Sequence, residues 1–325
     1  MTKRRDFLRT AVVAGLGMPL VRSSSLFHWR EPGLSVSAPL LEPAKGETLI
    51  TVLHTNDTHS QIDPILENDK NYAGKGGVAR RATLVKRVRK ENPNTLLIDG
   101  GDVLQGTPYF NFYKGEVEYK AMSLIGYDAG TLGNHEFDNG VESLARALEF
   151  ANFEIVSTNY DVRGSALEKK VKTHLVKTVG GIRVGLFGMG ISPIGLITPD
   201  NFKPLQYLDP VRMARGVTKL LREQEHCELV LGMSHLGYYP EGTHGEIGDS
   251  QVAAQVDGID FIASGHTHTF MEKPALQKTP SGKDTIIFQV GRSGIYVGRV
   301  DFTLRDGKVT AYAGRLLDLR DESLA

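Results

Sequence analysis

The chain has 325 residues, 40% hydrophobic and 23% charged, a globular composition that excludes a disordered chain and a collagen-like fibre. Lys plus Arg and Asp plus Glu both number 38, so there is no basic excess for a nucleic-acid polymer to recognise. The single cysteine, Cys227, excludes an internal disulfide and a Cys-based metal site, leaving His, Asp, Glu and Asn as candidate ligands.

The chain opens on a basic stretch, Lys3-Arg4-Arg5-Asp6-Phe7-Leu8-Arg9, followed by an apolar run over 11–21. That run is too short for a membrane-spanning helix, which needs about 20 residues. Basic, then apolar, then small polar residues is the order of an export signal, and R-R-x-F-L resembles the twin-arginine type. A periplasmic or secreted location is expected. No Cys follows the run to carry a lipid, so no stable membrane anchor is expected. Residues 1–38 read as signal peptide and start of a linker, 39–47 as the rest of the linker, and 48–325 as one folded domain.

Residues 48–54 are a β-branched apolar run and predict a buried strand ending in Asn56-Asp57-Thr58-His59. Helical spacing over 77–89 precedes a strand at 94–98, which ends in Asp99-Gly100-Gly101-Asp102. A helix near 117–125 leads to a strand at 129–132 and Gly133-Asn134-His135-Glu136. A helix is predicted over 141–150, strands at 154–157 and 182–188, and a long amphipathic helix over 210–225. The strand at 229–233 ends in Ser234-His235, and that at 260–263 in Gly265-His266-Thr267-His268. The tail, 285–304 and 308–313, reads as antiparallel strands with a turn at Asp306-Gly307.

Strands alternating with helices predict an α/β layered fold. All five polar clusters follow apolar strands, at the carboxyl edge where α/β sheets build their sites. Asp57-x-His59 and His266-x-His268 are each read as extended segments that point two ligands to one side. Asp102, Asn134 and His235 stand singly. Two Asp, one Asn and four His give mixed oxygen and nitrogen ligation. That set suits two divalent ions, Mn, Zn, Fe or Co, sharing a carboxylate.

The series Asp57-x-His59, Gly101-Asp102, Gly133-Asn134-His135-Glu136, His235 and Gly265-His266-x-His268 resembles the calcineurin-like metallophosphoesterases. Within them, Leu53-His54-Thr55-Asn56-Asp57 and Gly133-Asn134-His135-Glu136-Phe137-Asp138 resemble the secreted 5′-nucleotidase and UDP-sugar hydrolase branch. The resemblance runs from about residue 48 to 315. It implies a four-layer α/β/β/α sandwich carrying two metals. One ion would be held by Asp57, His59, Asp102 and His268, the other by Asp102, Asn134, His235 and His266, with Asp102 bridging. His135 would be the catalytic histidine, oriented by Asp138, and His54 a neighbouring or core residue.

The expected reaction is hydrolysis of a small phosphate ester, most of all a nucleotide. The same superfamily also implies 2′,3′-cyclic-nucleotide phosphodiesterase, UDP-sugar hydrolase and sulfur-ester hydrolase activities, and a metal-bearing binding module is the non-enzymatic alternative. Members of the branch carry a second, C-terminal domain that grips the base with aromatic residues, and no such domain follows within these 325 residues. A separate substrate-binding subunit docking near Tyr238-Tyr239 is therefore an expected partner.

Overall fold

The structure, a computed structural model, describes residues 40–239 and 247–319. The expected signal peptide lies outside them, as do His28, Trp29, Pro240 and His244. The strands are β1 (Thr48–Thr55), β2 (Thr95–Asp99), β3 (Ala129–Gly130), β4 (Glu154–Val156), β5 (Tyr160–Asp161), β6 (Val171–Lys172), β7 (His174–Val179), β8 (Ile182–Gly190), β9 (Gln206–Tyr207), β10 (Leu229–His235), β11 (Phe261–Ala263), β12 (Ala275–Lys278), β13 (Asp284–Phe288), β14 (Tyr296–Arg305) and β15 (Lys308–Asp318). The helices are α1 (Val78–Glu91), α2 (Pro108–Tyr113), α3 (Glu116–Ile125), α4 (Val141–Ala147), α5 (Pro199–Phe202), α6 (Pro210–Lys219) and α7 (Asp249–Ala253).

Two sheets form the centre. One has the order β15-β14-β1-β2-β3-β4-β6, the other β12-β13-β11-β10-β8-β7. Alternation along each strand decides which layer a side chain enters. Ile50, Val52, Leu96 and Ile98 meet Leu229, Leu231, Phe261 and Phe288 in the apolar layer between the sheets. Leu53 and Leu97 point the other way, against Leu84, Val85 and Val88 of α1 and Met122 of α3. On the far side, Phe187, Val230 and Ile262 pack under Ala214 and Val217 of α6 and Val252 of α7. The result is the expected α/β/β/α layering. Cys227 is 4% exposed in that last layer, a small core residue.

The sequence reading and the structure differ at identifiable points. The stretch 285–304 is two strands in different sheets: β13 runs parallel to β11, and β14 runs antiparallel to β1 and β15. Between them Gly291, Ser293 and Gly294 take positive φ, of 78°, 58° and 59°, and redirect the chain. The β14–β15 turn is as expected, with Asp306 and Gly307 both at positive φ. Helix α2 was not anticipated, although Pro108 follows Thr107 as a first helical residue should. The helix expected over 210–225 becomes a π turn over Leu220–Gln224. Residues 40–47 are irregular but tied to the sheet, the Leu40 amide donating to Asp301 Oδ2 at 2.7 Å.

His54 is a core residue. Its ring meets Phe261 and Phe288 edge-on between the sheets, opposite Gly298, where a Cβ would sit 2.0 Å from Nε2. Burial alone drives its pKa down to about 3. Unfolded, the ring titrates near 6.5, so the unfolded chain binds more protons below that pH. The stability held by neutral His54 is complete above pH 6.5 and is lost as pH falls toward 3. At pH 5 the loss is about 2 kcal/mol. His54→Leu is expected to be less sensitive to acid by that amount in urea unfolding at pH 7 and 5. Both proteins carry the same polar site, so its own acid response cancels in the comparison.

Candidate metal centre

The parallel strands β1, β2 and β3 of one sheet, and β10 and β11 of the other, all end at the same edge. The loops leaving β1 and β2 then run side by side beyond the sheet. The amides of Asp57, His59 and Ser60 donate to the carbonyls of Gly101, Asp102 and Val103 at 2.9, 3.1 and 2.8 Å. This pairing sets Asp57 and His59 beside Asp102.

Neither two-ligand segment is extended, contrary to the sequence reading. Asp57, His59, Asp102, His266 and His268 all have positive φ, at 50°, 47°, 53°, 72° and 51°. Residues other than Gly rarely adopt this conformation, and its cost recurs at functional sites. Both members of each pair still reach the same centre, through left-handed turns instead of a pleat.

Two groups of ligand atoms result: Asp57, His59 and His268, and Asp102, His235 and His266, each with its atoms within 4.8 Å of one another. Asp57 Oδ1 lies 3.2 Å from His268 Nε2 and 3.9 Å from His59 Nε2. Asp102 Oδ2 lies 2.9 Å from His235 Nε2 and 4.0 Å from His59 Nε2, so this carboxylate faces both groups. Asn134 Oδ1 is 3.1 Å from His266 Nδ1. All seven expected ligands are therefore gathered in one place.

The hydrogen bonds behind the ligands fix which atoms face inward. His235 Nδ1 lies 2.8 Å from the Gly100 carbonyl and His59 Nδ1 3.3 Å from the Leu104 carbonyl. Each contact makes Nδ1 the donor and turns Nε2 toward the carboxylates. His59 Nε2 and His268 Nε2 face each other 3.0 Å apart, beside a carboxylate. Burial lowers the pKa of His59, and lowers that of His266 to about 4, so both rings are neutral near pH 7. Imidazole nitrogens and carboxylates that converge in this way are a donor set that fits two divalent cations.

His135 stands just outside this ring, its centroid 5.4 Å from that of His59. Its amide donates to Asp102 Oδ1 at 2.9 Å, and its Nδ1 donates to Asp138 Oδ2 at 2.9 Å. The Asp138 contact raises its pKa, which favours the imidazolium. Its side chain is 33% exposed, enough to meet a bound substrate.

Three positioning residues had no role in the sequence reading. Glu136, 2% exposed, accepts from the amides of Asp102, Val103, Leu104 and Gly133 at 3.0, 2.8, 3.3 and 2.6 Å. One carboxylate thus clamps the loops after β2 and β3 together. Gly133 permits that closeness, since a Cβ there would sit 2.2 Å from Asp102 Oδ1. Asn56 donates to Asp57 Oδ2 and to the Gly291 carbonyl, both at 2.6 Å, and turns Oδ1 inward. Gln289 donates to the Gly265 carbonyl at 2.6 Å and accepts from Thr267 Oγ1 at 3.0 Å, holding the His266-x-His268 loop.

Glu136→Gln places an amide N–H against backbone N–H donors. We expect metal affinity to fall by about 10–100-fold, the usual effect of losing a group that orients ligands. Metal titration of the purified variant measures this. Unchanged affinity would show that the loops hold without the clamp. Of the Tyr238-Tyr239 pair, Tyr239 is 9% exposed, and Tyr238 packs on the cores on both sides of the second sheet.

Comparison with known proteins agrees with this construction. Residues 50–270 match the calcineurin-like phosphoesterase family. The 5′-nucleotidase of Rattus norvegicus is 33% identical over 312 residues, which cover 89% of this chain and 52% of the rat protein. Protein UshA of Yersinia enterocolitica is 30% identical over 291 residues, 83% of this chain and 52% of that one. A crystal structure of a 5′-nucleotidase precursor from Thermus thermophilus superposes with a TM-score of 0.73 at 34% identity, over 83% of this chain and 54% of the other. The chain spans about half the length of these relatives. With fold, ligand set and sequence match in agreement, the chain belongs to the calcineurin-like phosphoesterases.

Proposed function

We propose that this chain is an exported, two-metal phosphoesterase that hydrolyses nucleotides, with nucleoside 5′-monophosphates as its main substrates. The observation that carries the reading is one buried carboxylate, Asp102, facing two groups of ligand atoms with the His135–Asp138 pair beside them. The relatives that match include 5′-nucleotidases, and this supports a nucleotide as substrate.

Asp57, His59, His268 and Asp102 would hold one ion, and Asp102, Asn134, His235 and His266 the other. Bound divalent ions supply Lewis-acid charge for the phosphoryl oxygens and a water acidic enough to attack at neutral pH. The chain's own residues do the rest. Asn134 and His135 flank the phosphoryl group. Asp138 holds the proton on His135 Nδ1 and fixes the tautomer, so that Nε2 faces the substrate. His135 Nε2–H stabilises the charge that builds up and gives its proton to the leaving oxygen. The residues that hold His235 and Asp57 keep the constellation assembled before substrate arrives.

The test is hydrolysis of AMP, UDP-glucose, 2′,3′-cyclic AMP and a chromogenic phosphate ester, with metal content measured on the same sample. The products are followed by chromatography, because UDP-glucose and the cyclic nucleotide are cleaved without releasing phosphate. AMP is expected to have the highest kcat/KM. A protein that hydrolyses only the cyclic nucleotide, or none of the four, would overturn the reading.

Export is proposed from the Arg4-Arg5 signal. A twin-arginine route carries folded proteins, so the metals would be loaded before transport, away from competing ions. Arg4→Lys with Arg5→Lys is expected to leave folded, active protein in the cytoplasm, detected by fractionation. Normal export of the double variant would rule that route out. Among the described residues no helix is long and apolar enough to cross a membrane.

A further inference from the structure

Behind the candidate metal centre runs a row of buried polar groups that belongs to none of the roles described so far. Arg81 of α1, Tyr127 just before β3, Thr55 at the end of β1 and Asp99 at the end of β2 are each 4% exposed or less. Arg81 Nη1 donates to Tyr127 Oη at 3.2 Å. Tyr127 Oη and Thr55 Oγ1 lie 2.7 Å apart, and Thr55 Oγ1 donates to Asp99 Oδ2 at 2.5 Å. An arginine can only donate and a carboxylate can only accept. With both ends charged, the two hydroxyls between them therefore line up, Tyr127 donating to Thr55 and Thr55 to Asp99. Buried charges need partners, and here two hydroxyls join one cation to one anion. Burial raises the pKa of Asp99 to about 7, while the hydrogen bonds from Thr55 and Gly101 and the charge of Arg81 oppose that rise.

The row ends on a turn that holds metal ligands. Asp99 Oδ1 accepts the Gly101 amide at 2.9 Å, and the Gly100 amide donates to the Thr55 carbonyl at 2.8 Å. Strands β1 and β2 thus grip Gly100-Gly101 from both sides. The Gly100 carbonyl accepts from His235 Nδ1 at 2.8 Å, and the Gly101 carbonyl accepts the Asp57 amide at 2.9 Å. Asp57 belongs to one group of ligand atoms and His235 to the other. Two glycines bring no side chain to fix the turn, and Gly101 has a φ of 89°, so its place depends on these hydrogen bonds.

We propose that Arg81, Tyr127, Thr55 and Asp99 form a positioning relay that holds the Gly100-Gly101 turn in the geometry both ions require. The proposal rests on the two-metal reading above. The four residues act through the turn and are not themselves ligands. Removing a hydroxyl from the row takes a donor from Asp99 and separates it from the guanidinium. The turn then loses its fixed place, and Asp57 and His235 move with it. Affinity for both ions falls together, because the turn carries one ligand of each group.

The test is titration of the chelator-stripped chain with Mn²⁺, with free Mn²⁺ followed by electron paramagnetic resonance. Thr55→Val keeps the branched shape and removes the hydroxyl, whereas Thr55→Ser keeps the hydroxyl and removes the methyl. Thr55→Val should weaken both ions by about 10–100-fold, and Thr55→Ser should stay within about threefold of wild type. Tyr127→Phe keeps the ring beside Phe153 and Arg81 and should weaken both by roughly tenfold. If Thr55 serves only packing, the order reverses, with Val harmless and Ser harmful, and the relay is overturned. Wild-type affinity in Tyr127→Phe also overturns it, and that variant decides the matter should Thr55→Val not fold. A wild-type chain that binds no Mn²⁺ would mean that the two-metal reading itself has failed. That result is distinct from a wild type that binds two ions and variants that bind them equally well.

Discussion

Asp102→Asn is expected to abolish hydrolysis and to lower the metal content of the purified protein by at least one ion per chain. Asp102 Oδ2 lies 2.9 Å from His235 Nε2 and 4.0 Å from His59 Nε2, and Oδ1 accepts the His135 amide at 2.9 Å. One carboxylate therefore serves both groups of ligand atoms and the His135 backbone. Asn keeps the shape but removes a charge that the neighbouring His235 holds in the ionised range against burial. Without it, neither cation is neutralised as before, and the amide N–H turns a donor toward one of the groups. The loss in turnover should exceed about 10³-fold, the upper end for removing a single electrostatic contact, because two ions are affected. His266→Ala should lose metal from one group only. Elemental analysis and phosphate release measured on the same sample read both effects.

His135→Ala should behave in the opposite way, with both ions kept and kcat lower by about 10²–10⁴-fold, the usual contribution of a positioned acid or base. Its ring stands apart from the ligand atoms and faces Asp138, with a third of its side chain open to solvent. Asp138→Asn leaves the ring in place without the charge that fixes its tautomer and should fall between the two. Loss of metal from the His135 variant would make it a ligand and would require a different proton donor.

Much of this site was legible because each ligand follows an apolar strand. The runs before Asp57, Asp102, Asn134, His235 and His266 read as strands from hydrophobicity alone, and parallel strands bring their carboxyl ends to one edge. The backbone that delivers the ligands was not legible. A D-x-H or H-x-H pair looks the same whether it lies on a pleat or on left-handed turns. The choice is made by contacts distant in sequence, such as the Asn56 bonds to Gly291 and Gln289 to Gly265. Glu136 was hidden for the same reason: its partners are backbone amides, which have no sequence signature. The split of 285–304 was readable in principle, since Gly291-Arg292-Ser293-Gly294 interrupts a β-branched run, but hydrophobic pattern cannot say that a chain changes sheets there.

The central claim is that these two groups of side chains bind two ions and that both are needed for hydrolysis. It is tested most directly by stripping the protein with a chelator, adding Mn²⁺ or Zn²⁺ in steps, and following bound metal and phosphate release from AMP together. The predicted result is a stoichiometry of two per chain, with activity returning only as the second ion binds, and in the Asp102→Asn variant neither recovering. Full activity with one ion or none would contradict the account.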